Sequence, residues 1–456
     1  MSKRNFILLI IILIIITIAV FGFLYFRQGQ TPGTDTSGTN FISQFNPFGT
    51  SKPATPPAIT PPADVSGYQP EPTLETTVVK LKKISSMPIA GFTVFNKERL
   101  KEIIAESSPL LGGGAGEGST QNNLTPTLPK GKGVKPTPPP TEFMPALRYV
   151  DRATGNIYQT FADKIEERRF STTIIPKIYE AFFGNKGQSV VMRYLKTDGK
   201  RIVTFVGNLP KELLGGDTTE NNEVKGIFLP EDVKDVSLSS NGESIFYLFN
   251  VGENMVGTTF SFLNNKKAQI FSSPFTEWLS WWPNNKMITF TTKPSASVPG
   301  YMYAMDPAIK TLNKIIDGIN GLTTLMSPSG KLVLSGNNNL ALNLYHTDTK
   351  ASDILGVKTL PEKCVWNKTS IVVYCAVPKL IETGQYPDAW YQGEVSFSDQ
   401  IWKIDVKTGN ATMLADPAII TGEGEIDGIK LAVDVGENYL FFINKKDSFL
   451  WKLTLK

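Results

Sequence analysis

Downstream of Pro88 the chain repeats one theme seven times: an apolar run, a polar turn, a second apolar run, and a third run tipped by an aromatic residue. The turns read SLSSNGESIFYL around Asn241-Gly242, SWWPNNKMITF around Asn284-Asn285, LMSPSGKLVLS around Ser329-Gly330 and AFFGNKGQSVV around Lys186-Gly187. Weaker copies follow Trp366 (WNKTSIVVY) and Asp434 (DVGENYLFF). Asn-Gly, Ser-Gly and Asn-Asn supply the positive φ angles of tight hairpins. The third runs match at Ile157-Tyr158, Met302-Tyr303, Ile401-Trp402 and Leu450-Trp451, and several lead into an Asp-headed turn, DRATGN, DPAIK or DVKTGN. Repeats of about 40 residues, each with up to four strands that only a neighbour can cover, predict an all-β, seven-bladed β-propeller.

Blades are expected over 88–175, 176–230, 231–274, 275–318, 319–360, 361–419 and 425–456. The last offers three runs, KLAVDV, YLFFIN and FLWKLTL, so its fourth strand is assigned to TVVKLKKIS, from Thr77 to Ser85. A ring closed by an N-terminal strand leaves no open sheet edge. The turns SPSGKLVLS and SSNGESIFYL resemble the WD40-like repeats of TolB-type propellers, a resemblance covering most of 77–456. It implies a fold and no activity, because the N-terminal α/β domain of TolB-type proteins has no counterpart here. The chain is also similar to membrane-anchored envelope propellers of small-genome, low-GC bacteria, which implies a location only.

That location rests on the N-terminus. Residues 6–26 carry no charge, and about 20 such residues cross a bilayer. Lys3 and Arg4 precede the run and Arg27 alone follows it, so residues 1–5 are expected in the cytoplasm and the rest outside. An uncleaved single-pass cell-membrane anchor is favoured over a signal peptide, since the run is long and IAVFGFLYFRQG lacks a small-residue cleavage site. Residues 27–76, rich in Pro, Thr, Ser and Gly, read as a disordered linker. Within it the apolar island FISQFNPFG is either a docking motif or an idle segment. A second low-complexity stretch, about 107–141, interrupts the first blade after a short helical pattern, KERLKEIIAES. Its GGGAGEG lacks the spacing of a phosphate-binding loop.

Composition narrows the chemistry. With one histidine, His346, a His-rich metal site has no ligands and Ser-His or Cys-His catalysis has one base available. No cofactor, metal or catalytic constellation is expected. A net charge of +4 without basic blocks argues against nucleic acid. Cys364 and Cys375 share one hairpin and are read as either a disulfide or two buried thiols. A turn centred on Thr369-Ser370 sets them opposite each other, whereas the register of the other blades offsets them.

Alignment of the turns puts Glu180 and Asp235 at equivalent positions near the start of innermost strands, with Trp278, Thr323 and Lys430 in the same column. Two adjacent blades supplying carboxylates read as channel polarity rather than as a metal or glycoside-cleaving pair. The blade-six loop carries Tyr386, Trp390, Tyr391 and Phe397, and Tyr301 ends a loop of the same face. These aromatics are candidates for partner or glycan contact, against the alternative that Trp390 folds back over the sheet. The leading function is a membrane-tethered interaction scaffold with an envelope protein partner. Glycan or peptidoglycan recognition is second, and a propeller hydrolase or lyase using channel carboxylates third.

Overall fold

A computed structural model describes residues 81–101, 139–210, 212, 222–420 and 424–456. They form seven four-stranded antiparallel sheets. Blades one to six are consecutive in sequence, and their strands occupy 89–169, 178–228, 235–273, 278–320, 323–358 and 364–415. The seventh combines Gly428–Val433, Tyr439–Asn444 and Leu450–Thr454 with the N-terminal strand Leu81–Lys83, which pairs Leu81 with Leu453 and Lys83 with Trp451. This is a seven-bladed β-propeller with its first and last strands in one sheet. The span expected at 6–26, the linker at 27–76 and most of the 107–141 insertion lie outside the described residues. Among the described residues no helix is long and apolar enough to cross a membrane.

Side-chain chemistry follows the radius of the ring. Second strands, flanked within the sheet and covered on both faces by neighbouring blades, read as continuous apolar runs, as in the fully buried Val372–Pro378. Outermost strands are the most exposed, and Lys225–Phe228 is exposed throughout. The cores lie between blades: Val191 and Val206 of blade two pack with Val236, Ile245 and Phe260 of blade three. Each such side chain contributes about 1.5–3 kcal/mol on burial. Innermost strands approach backbone to backbone, and a Cβ on Gly91 would sit 2.0 Å from the Ala181 carbonyl oxygen. Only glycine fits there.

Three local expectations change. The hairpin expected at Lys186-Gly187 is a 3-10 turn, Asn185–Gly187, with all three residues at positive φ. The Asn185 N–H donates to the Gly242 carbonyl of blade three at 2.5 Å. DRATGN joins the second and third strands of blade one rather than following the third. Its Asp151 carboxylate accepts the Ala153 N–H at 2.9 Å, as Asp306 accepts that of Ala308 at 2.8 Å. This local chemistry suits any antiparallel connection, so it does not reveal which one it makes. Finally, Lys97 to Leu100 of the helical pattern continue the strand Ile89–Leu100, because Thr141–Asp151 pairs with it to its last residue.

Cys364 and Cys375 face each other in register and are disulfide-bonded, with Cα atoms 4.1 Å apart. The offset register is not adopted. Asn367 closes the turn, its Oδ1 accepting the N–H groups of Ile371 and Val372 at 3.1 Å each. Closing a loop of 11 residues restricts the unfolded chain, so Cys364→Ala/Cys375→Ala is expected to lose about 3 kcal/mol in denaturant titration under non-reducing conditions. The same titration in reductant should bring wild type down to the variant.

Candidate functional site

Near the start of the innermost strands of blades two and seven, Glu180 and Lys430 come together. Glu180, on Ile178–Gly184, accepts from Arg193 Nη1 at 2.5 Å and lies 3.3 Å from Lys430 Nζ. Arg193 also donates to the Val233 carbonyl at 2.6 Å. Burial pushes the Glu180 carboxyl up, but Lys430 and Arg193 outweigh it and hold it below the usual range. Burial raises Asp235 against two hydrogen bonds at 2.6 Å that its Oδ2 accepts from the Ser280 N–H and hydroxyl. Lys430 meets Glu180, whereas Thr323 is buried and Trp278 is packed among Phe271, Phe275, Phe290 and Tyr303. Arg193, which organises this corner, sits on a second strand and had no signal in the inner-strand alignment.

Next to Ser280, Tyr391 donates to Glu362 Oε2 at 3.0 Å. With Trp281, Ser280, Thr323 and Thr324 they line a recess of about 50 Å³, which holds a few waters and not a sugar ring. Glu362 keeps an exposed surface at the crowded rim of this recess, and desolvation by the surrounding protein pushes its carboxyl up to about 7. The folded state therefore disfavours the charged form. Stability is expected to fall as pH rises from about 4.5 to about 7 through this group. Glu362→Gln should remove that slope and melt above wild type at about pH 8, read by thermal unfolding across pH.

The blade-six loop does not present its aromatics. Tyr386, Trp390 and Phe397 are buried with Leu340 and Leu360 in one cluster, which removes them as contact residues. The short helix Asp388–Gln392 carries Trp390 inward, and Asp388 Oδ2 accepts the Ala296 N–H of the blade-four loop at 2.7 Å. Tyr391 is 40% exposed, but toward the channel recess. Tyr301 is half-buried, with its N–H donating to Thr292 Oγ1 at 2.9 Å.

Beneath this loop lies a cluster with no obvious trace in sequence. Lys363, Asp399 and Asp427 are fully buried, with Lys363 Nζ 2.8 Å from Asp399 Oδ2 and in contact with Asp427 Oδ1. Asp427 Oδ2 accepts from Trp390 Nε1 at 2.9 Å, the Phe397 N–H at 3.1 Å and Ser396 Oγ at 3.2 Å. Burial pushes Asp399 up to about 6 despite Lys363, whereas Lys363 and these donors overcome burial and lower Asp427.

On blade one a β-ribbon outgrows the ring. Its strands have 12 and 11 residues, while no other among the described residues exceeds 9. Blade one's third strand pairs outward only to Ala146 opposite Phe161. Beyond that point Asn96 to Leu100 pair with Pro145 to Thr141 over about 17 Å, and no strand pairs with the outer edge among the described residues. Glu98, Leu100 and Phe143 share the solvent face, with Leu100 42% and Phe143 67% exposed. The opposite face is anchored: Lys97 pairs with Glu212 at 2.5 Å, and Arg99 with Glu142 at 2.8 Å and Asp163 at 2.6 Å. An open cleft of about 510 Å³ lies beside it.

Among the described residues no group of three His, Cys, Asp or Glu side chains is placed to hold a metal ion. No family model matches the sequence, and no curated protein does. Many solved structures align with it, two oligogalacturonate lyases among them. One is an oligogalacturonate lyase in complex with manganese, 9% identical, with a TM-score of 0.44 over 68% of this chain and 85% of that one. The other, the oligogalacturonate lyase of Vibrio parahaemolyticus, is 8% identical, with a TM-score of 0.48 over 68% of this chain and 86% of that one. Likenesses this distant carry no argument about activity.

Proposed function

We propose that this chain is a membrane-tethered, extracytoplasmic scaffold that binds an envelope protein. The observation that carries the reading is the projecting ribbon of blade one, with an outer edge that no strand pairs with beyond Pro145 among the described residues and the exposed Leu100 and Phe143. An extended segment of a partner adds to such an edge through backbone hydrogen bonds, while side chains on the exposed face set specificity. The Cys364–Cys375 disulfide fits an oxidising exterior. The apolar run at 6–26 supports the tether.

Glycan recognition is the second reading and draws on Trp281 and Tyr391, both exposed in the channel. The enzymatic reading is third: Glu180 and Asp235 differ in proton affinity as an acid and base would, yet one is held by two cations and the other by Ser280.

Affinity capture from native membranes separates the three. A protein recovered with wild type and lost with a normally melting Leu100→Ala/Phe143→Ala variant supports the scaffold. Envelope polysaccharide binding lost only in Trp281→Ala/Tyr391→Ala supports the glycan reading. Turnover of an envelope polymer abolished by Glu180→Gln supports the enzyme.

A further inference from the structure

We propose that Lys363 and Asp427 condense to an isopeptide bond, a covalent staple between blades six and seven. Lys363 ends the 3-10 turn that leads into blade six, and Asp427 immediately precedes the innermost strand of blade seven. Their side chains are in contact, and neither is reached by solvent. Trp390 and Phe397 cover the amine, with each ring centre 5.2 Å from Lys363 Nζ.

The surroundings supply each part of an acyl transfer. Lys363 Nζ is the nucleophile once it loses a proton, and Asp399 Oδ2 at 2.8 Å is placed to take it. The other oxygen of Asp399, Oδ1, has no hydrogen-bond partner, as suits a carboxyl that holds a proton in transit. Burial lifts the proton affinity of Asp399 toward neutrality, which fits a carrier that takes and returns protons. The electrophile is Asp427 Cγ. Three donors converge on its Oδ2, from Trp390, Phe397 and Ser396, as an oxyanion hole receives the charge of a tetrahedral intermediate. That leaves Oδ1, the oxygen facing Lys363, as the leaving atom.

The step balances without a co-reactant. The Nζ–Cγ bond forms and the Cγ–Oδ1 bond breaks. Two of the three ammonium protons leave with Oδ1 as water, the third stays on the amide nitrogen, and Asp399 ends in its starting state. Fixed contact between the reacting groups replaces the entropy of encounter, and a dry site opposes hydrolysis of the product.

The test is the intact mass of the full-length protein after disulfide reduction, followed by tryptic mapping. A chain lighter than its sequence by one water, with residues 359–368 and 408–430 recovered as one branched peptide, supports the bond. A chain at its sequence mass with both segments recovered separately overturns it and leaves a buried ion pair. A branch to the Asp399 peptide, 380–403, overturns the choice of acceptor. Asp399→Asn, checked for a cooperative melt, is expected at full sequence mass; if it cross-links as fully as wild type, Asp399 is not the proton carrier.

Discussion

Deleting residues 1–85 is expected to open the ring and abolish cooperative unfolding, whereas deleting 1–76 leaves the melting transition in place. The strand Leu81–Lys83 supplies three register pairs to Leu450–Thr454. Just after it, the Ile84 N–H donates to the Leu450 carbonyl at 2.7 Å, and Ser85 Oγ accepts the Leu450 N–H at 2.9 Å. Ile84 packs with Ile89, Leu147 and Tyr149 of blade one and with Phe441 and Leu450 of blade seven, so it sits at the seam of the ring. Losing an Ile side chain from a core costs about 2–5 kcal/mol, and each net hydrogen bond adds about 1 kcal/mol. A loss of about 5 kcal/mol or more is comparable with the whole stability of many domains. It also bares the edge of Leu450–Thr454, so the truncated chain should aggregate. Calorimetry and light scattering of the two truncations check this. Equal melting of both would mean that closure contributes little.

Lys363→Ala is expected to be the most damaging single substitution. It leaves Asp399 and Asp427 together in a fully buried site with neither a cross-link nor a counter-charge, and removing the cationic partner of a buried carboxylate costs about 3–5 kcal/mol. The loss should reach beyond blade six, because Asp427 also holds Trp390, Ser396 and Phe397 and thereby seats the loop that crosses to blade four. A triple variant, Lys363→Met with Asp399→Asn and Asp427→Asn, should recover part of the stability by removing all three charges. Urea titration of both variants decides the matter. A Lys363→Ala loss under about 1 kcal/mol would mean that the carboxyls take up protons without disturbing the loop.

The fold was legible in sequence because its signals are local. Gly242 and Gly330 sit at φ +71 and +72, as their turns demand, and the apolar alternation between turns gave the strands their count and order. Local signals also mislead. The Asx chemistry of Asp151 suits two different connections, and Leu100 reads as one face of a helix until Thr141 pairs with it. The candidate site was legible in part: of the inner-strand column, Glu180 and Lys430 come into contact, whereas Trp278 and Thr323 are buried. The second cation on Glu180, Arg193, comes from another strand and lies outside that column. Lys363 and Asp427 lie 64 residues apart, and each looks like an ordinary charge beside a strand. The aromatic loop reads as an exposed binding segment because its burial depends on Asp427, an acceptor for Trp390 Nε1 that the stacking of blade seven on blade six brings beneath it.

The claim that this propeller works through its projecting ribbon rather than its channel is tested most directly by photo-crosslinking in intact cells. A photoreactive amino acid would be placed singly at Phe143 on the ribbon and at Trp281 in the channel, each in an otherwise wild-type chain. The account predicts one discrete protein adduct from position 143 and none from 281. Adducts from 281 alone, or polysaccharide adducts there with position 143 silent, would contradict it.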